Sequence, residues 1–191
     1  DIKVLDQSYR IPGGPIHELS QKIINKVQNR FEKTYKPRDE IGLLKRYSDI
    51  TQVDMSKGNW LVLSSANYFL DDAKDLCEIQ GWYYQYKGMN SVSLKLLLAL
   101  NNWESWRKGE WLNHLEIKNI YQYLGSNVAV GYQKGKTLHS DAKYTLKECQ
   151  EQHGLKTSNV WYKSFEGLDP MTETYIRNMR ANGEMINKNP R

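Results

Sequence analysis

The sequence predicts an α/β fold, with a mainly parallel sheet and flanking helices in the first part of the chain and a small, mostly helical part after it. Three observations lead there. Strand-like and helix-like stretches alternate up to about residue 107, the order that places crossover helices on a parallel sheet. Trp60-Leu61-Val62-Leu63 is an unbroken apolar run, suited to a strand covered on both faces. After Gly109 the patterns are helical, apart from two short strand-like stretches near 128–132 and 160–162.

Taken in order, residues 2–5 (Ile-Lys-Val-Leu) predict a strand running straight into Asp6-Gln7-Ser8-Tyr9-Arg10. Pro12-Gly13-Gly14-Pro15 is a turn, with Pro15 in the first turn of a helix, where its missing N–H costs no bond. That helix aligns Ile16, Leu19, Ile23, Ile24, Val27 and Phe31 on one face. Lys36-Pro37-Arg38-Asp39 is polar and turn-like, Ile41 to Tyr47 reads as a second strand, and Asp54 to Gly58 as a turn. After the apolar run, Ser64-Ser65-Ala66-Asn67 can cap a helix over about 69–80, and Gly81 ends it. Leu70, Ala73, Leu76, Cys77 and Gln80 share one side of that helix. Asp71, Asp72 and Asp75 lie in its first turns, where carboxylates favour the positive end of the dipole. Trp82 to Lys87 is a further strand, closed by Gly88-Met89-Asn90-Ser91, and a helix from about 92 to 107 carries Leu94, Leu97, Leu98, Trp103 and Trp106.

In the second part, Ile117, Ile120, Tyr121 and Leu124 make one helix, ended by Gly125. Ser140 or Asp141 caps another that carries Tyr144, Leu146 and Cys149, with Gly154 after it. Asp169-Pro170 joins an N-cap to a proline at the first helical position, opening a third helix to about Ala181 that Gly183 closes. The expected organisation is a sheet-bearing part over 1–108, a helical insertion over 109–182 and a tail over 183–191.

Composition narrows the function classes. The 191 residues are enough for one or two domains. Hydrophobic content is 39% with a mean hydropathy of −0.74, polar but above the disordered range. Thirteen Tyr and six Trp stand against three Phe; such rings serve half-wet surfaces that stack bases, and more commonly line small cores and seams. The net charge of +5 is spread thinly, with 11 basic and 8 acidic residues in 1–58, 5 and 5 in 59–108, and 11 and 9 in 109–191. That balance is compatible with nucleic-acid contact without demanding it. Cys77 and Cys149 lack CxxC spacing, and His17, His114, His139 and His153 are scattered, which argues against a zinc site or a disulfide framework. No apolar run reaches the length of a membrane span and no secretory signal is present, so a soluble, cytoplasmic protein with no membrane partner is expected. The start at Asp1 without a methionine and the stop at Arg191 lead to the expectation of a fragment of something longer.

The chain has no GxxxxGK[ST] phosphate loop, no HExxH and no GxSxG. Tyr9-Arg10, at the junction of a strand and a helix, is the pair that draws attention. A ring face binds a flat base, and a guanidinium offers a permanent bidentate cation to phosphate oxygens. The plainer alternative makes Tyr9 a core ring and Arg10 a surface ion-pair partner. Trp103, Trp106 and Trp111, at the start of the helical part, are expected to pack it against the sheet-bearing part rather than to stack on nucleic acid.

Leu5-Asp6-Gln7-Ser8-Tyr9-Arg10 resembles motif IV of the UvrD/Rep/PcrA-type superfamily 1 DNA helicases, whose usual form is L-E-Q-N-Y-R-S. The resemblance continues in kind over about residues 1–105. Trp60-Leu61-Val62-Leu63-Ser64-Ser65 stands where the family has an apolar strand ending in L-x-R, here without the arginine. Tyr84-Gln85-Tyr86-Lys87-Gly88-Met89-Asn90-Ser91 is similar to the family's Y-x-x-x-G-G-x-x-F segment, with one glycine replaced.

The resemblance implies an incomplete RecA-like parallel sheet, the front part of a second motor domain, with a shortened insertion at 109–182. It implies that Tyr9 stacks on the adenine of ATP, that Arg10 reaches the γ-phosphate as the catalytic arginine, and that Gln7 is a polar support beside them. Lys87, Asn90 and Ser91 correspond to the segment that touches the single-stranded DNA backbone; the plainer reading has Asn90 or Ser91 simply cap the following helix. Implied partners are single-stranded or forked DNA and a first RecA-like motor domain in the same polypeptide. That domain would carry the phosphate loop and the Mg²⁺ ligands, so the isolated chain is expected to be inactive. The alternative is a non-enzymatic α/β module that binds nucleic acid or protein.

Overall fold

A computed structural model of the chain describes residues 6–29 and 35–183. The chain is a mixed α/β protein of two compact units, Asp1–Gln52 and Val53–Arg191.

The first unit is a strand–helix–strand. Strand β1 (Gln7–Gly13) pairs in parallel with β2 (Lys36–Ile41), and α1 (Pro15–Ile24) lies between them in sequence. The strand expected over 2–5 lies outside the described residues, and the Gln7–Arg10 motif is itself strand. Lys36–Asp39 is a correction: this polar stretch is ladder rather than turn. Its backbone is held by β1, Lys36 N–H donating to the Asp6 carbonyl at 2.6 Å, and the Gln7 amide donating to the Pro37 carbonyl at 3.0 Å. Pro37 is tolerated because a two-stranded sheet leaves one side of each strand unpaired. The expected strand Ile41–Tyr47 contributes only Ile41 to the sheet. Pro15 occupies the start of α1 as expected, Val27 lies beyond the helix end, and Phe31 is outside the described residues.

The second unit is built on one hydrophobic core. Its elements are α2 (Asp71–Gln80), a hairpin of β3 (Gln85–Tyr86) and β4 (Met89–Asn90), α3 (Leu94–Arg107), β5 (Leu112–Asn113), α4 (His114–Leu124), β6 (Lys143–Tyr144), α5 (Leu146–Gln152), α6 (Trp161–Ser164) and α7 (Pro170–Ala181). β5 and β6 pair antiparallel. The core runs from Tyr83 to Met179 and centres on Trp103, Trp106, Leu100, Ile117, Ile120, Leu124 and Ile176. Both buried indoles are satisfied: Trp103 donates to the Asn159 carbonyl and Trp106 to that of Tyr144, each at 3.0 Å. Trp103 and Trp106 are thus packing residues, as expected, whereas Trp111, expected to pack with them, is 57% exposed. Because α3 shares this core with residues 112–179, the division expected after residue 108 falls within one packed body.

Helices with strong local signals form where expected. Gly81 ends α2 in the left-handed conformation, and Asp169 caps α7 by accepting from Thr172 N–H at 2.9 Å. Three expectations are corrected. Thr145, not Ser140 or Asp141, caps α5 in a capping box with Glu148, and Tyr144 sits in β6. The stretch near 160–162 opens the short helix α6, while Val128 makes only an isolated bridge to Leu155. Trp60–Leu63 is not a strand, and Leu61 and Leu63 are each 81% exposed. No described strand runs beside it, so its backbone has no ladder to join and its side chains no second face to cover.

Candidate functional site

The first candidate region is the first half of β1. In a regular strand, successive side chains alternate between faces. The β1–β2 register shifts between Gln7 and Pro12, and the Ser8 hydroxyl accepts from Ile11 N–H at 3.1 Å, which takes the intervening backbone out of the ladder. Tyr9 is 83% exposed and Arg10 is exposed, with no ion-pair partner among the described residues. The core-ring part of the plainer alternative does not describe Tyr9. Gln7 is different: its side-chain amide is spent on the carbonyls of Ser8, Lys36 and Pro37. It braces the two strands and keeps no donor directed at a ligand. The turn after Arg10 passes through Gly14, at φ 69°, into α1. Among the described residues the ring and the guanidinium have no partner, whereas Gln7 is committed to the strand backbone.

The second region is the β3–β4 hairpin. Lys87 and Gly88 make its two-residue turn with φ of 49° and 77°, the positive-φ pair that matches strand twist. Lys87 is exposed, with its ammonium 5.2 Å from the Tyr86 ring centre. Lys74 of α2, which sequence reasoning did not single out, lies over the same ring at 4.8 Å and pairs with Asp71. No local pattern joins Lys74 to Tyr86, since the fold alone brings α2 against the hairpin. Asn90 accepts from the Gln85 amide at 3.3 Å. Ser91 is committed inward: its hydroxyl bonds Tyr175 OH at 2.8 Å and accepts from Tyr84 N–H at 3.3 Å. Neither Asn90 nor Ser91 caps α3; Ser93 does, accepting from Leu96 N–H at 3.2 Å. The hairpin therefore gathers Lys87 and Asn90 at the surface and withdraws Ser91.

Burial pushes the Cys77 thiol up to about 11 and that of Cys149 to about 12, so neither is a thiolate at neutral pH. No helix among the described residues is long and apolar enough to cross a membrane. Comparisons with protein-family models, curated proteins and solved structures find no match for this chain.

Proposed function

We propose that this chain is part of an ATP-dependent DNA helicase of the UvrD/Rep/PcrA type. It contributes the front of a second RecA-like motor domain, including the adenine and γ-phosphate contacts and part of the single-stranded DNA track. The observation that carries this reading is the Leu5–Arg10 hexapeptide, whose Tyr9 and Arg10 stand exposed, with no ion-pair partner among the described residues, on the first strand of a parallel strand–helix–strand unit.

In this reading Tyr9 presents its ring face to adenine and Arg10 meets the charge that builds on the transferred phosphoryl group. Gln7 holds β1 against β2 behind them. Lys87 and Asn90 supply an ammonium and an amide to the DNA backbone, and Ser91 supports the hairpin from inside. ATP brings the phosphoryl group to be transferred, and the Mg²⁺ and phosphate-loop contacts come from the first motor domain of the same polypeptide.

The test uses the longer polypeptide that includes such a domain. Arg10→Ala should lower DNA-stimulated ATP turnover about 10³-fold or more, with single-stranded DNA affinity held within about twofold. Equal loss of both would sink the assignment of Arg10. The 191-residue chain alone should show no ATP hydrolysis, and turnover by that purified chain would overturn the shared-site reading.

A further inference from the structure

The charge surplus is spread thinly along the sequence, yet the fold gathers part of it at one place on the second unit. Lys134 and Lys136 flank Gly135 in the segment between Val128 and β6, and Lys118 reaches them from α4. The contact is tight: a methyl group on Gly135 would lie 2.6 Å from Lys118 Cγ and 3.3 Å from its Cε. The Lys118 stem thus runs along the backbone of Gly135, the residue that Lys134 and Lys136 flank.

The loop that holds them is built as a series of reverse turns. Tyr132 N–H donates to the Ala129 carbonyl, Gly135 to Tyr132 and Leu138 to Gly135, at 3.0, 2.7 and 3.3 Å. Leu138 is buried, the Thr137 hydroxyl bonds His153 Nδ1 at 2.9 Å, and His139 N–H donates to Tyr144 OH at 2.7 Å. Lys134 and Lys136 are exposed. Among the described residues none of the three ammoniums has an ion-pair or hydrogen-bond partner. Glu166 accepts from Ser126 and Asn127 and Glu148 from Thr145, and neither forms an ion pair with the three lysines among the described residues. Two like charges on a braced loop and a third on the helix packed against it favour an anion lying across them.

We infer that Lys118, Lys134 and Lys136 form a binding surface for the phosphodiester backbone of a nucleic acid, separate from the β3–β4 hairpin. Point-like ammoniums on a fixed loop and the helix beside it suit a row of phosphates that needs charge and no base readout, while the Gln133 amide is turned to the Gly125 carbonyl at 3.4 Å. The inference stands apart from the helicase reading, since a non-enzymatic nucleic-acid-binding module would carry the same surface.

The experiment is fluorescence anisotropy of a labelled duplex and a labelled single-stranded oligonucleotide, titrated with the 191-residue chain across a salt series. Removing all three charges (K118Q/K134Q/K136Q) should weaken binding at least tenfold. It should also flatten the log K against log salt slope by about 0.9 per lost phosphate on duplex or about 0.7 on single strand. The arm with the larger change identifies the form bound. The charge-keeping K134R/K136R should bind as the parent does, which separates lost charge from lost fold. Lys87→Gln, read alone, reports on the hairpin, so failure at one surface is distinguishable from failure at the other. An unchanged slope in both arms, absence of binding by the parent chain, or displacement by poly-glutamate as readily as by oligonucleotide would each overturn the inference.

Discussion

Tyr9 and Arg10 owe their availability to their neighbours. Gln7 spends its amide on strand carbonyls and Ser8 its hydroxyl on Ile11, so the polar work of holding β1 is done by residues beside the pair. The hairpin divides labour in the same way, and that division is testable. Ser91→Ala should cost about 1 kcal/mol of stability, since it strips a partner from Tyr175 OH and from Tyr84 N–H, and should leave the salt dependence of DNA binding unchanged. Lys87→Gln should do the reverse, with an unmoved Tm and a shallower salt slope. Thermal melts of both variants beside anisotropy titrations decide it; a Ser91→Ala protein with native Tm and weakened DNA binding would restore Ser91 as a direct contact.

At the scale of elements, the seam between α2 and α7 shows where glycine is required. Gly81 has φ 67°, and a methyl group there would lie 2.3 Å from the Asn178 carbonyl carbon. Asn178 donates to the Ile79 carbonyl at 3.0 Å and Asn182 to that of Gln80, so α7 closes the end of α2. Gly81→Ala should destabilise the second unit by about 2–4 kcal/mol, combining left-handed strain with a backbone clash; a chemical denaturation midpoint within error of the parent would refute the seam. Gly81 was legible as a helix stop, and so was the Asp169-Pro170 start, because caps are local chemistry. Trp60–Leu63 and Lys36–Asp39 were misread for the opposite reason. Whether a stretch is strand depends on what lies beside it, and apolarity or polarity within the stretch does not say. The same limit applied at the site. Exposure of Tyr9-Arg10 follows from a nearby motif, whereas the Ser91–Tyr175 bond spans 84 residues and has no trace in either neighbourhood.

For the molecule as a whole, the two units are held differently. No described residue of Asp1–Gln52 is buried, whereas Val53–Arg191 contains the whole of the Tyr83–Met179 core. Local stability tracks buried apolar contact, so amide hydrogen exchange should be slowest in α3 and α4 and far faster in α1. Protection of α1 equal to that of α4 would contradict this. The placement of the indoles has a practical bearing on every variant discussed above. All six tryptophans fall between residues 60 and 161, hence in the second unit, and Trp103 and Trp106 are its most enclosed large side chains. Selective excitation of tryptophan therefore illuminates that unit alone. An emission melt would report an intact protein while the strand bearing Tyr9 and Arg10 had already come apart, so an Arg10 variant must be judged by an optical label placed among residues 6–52.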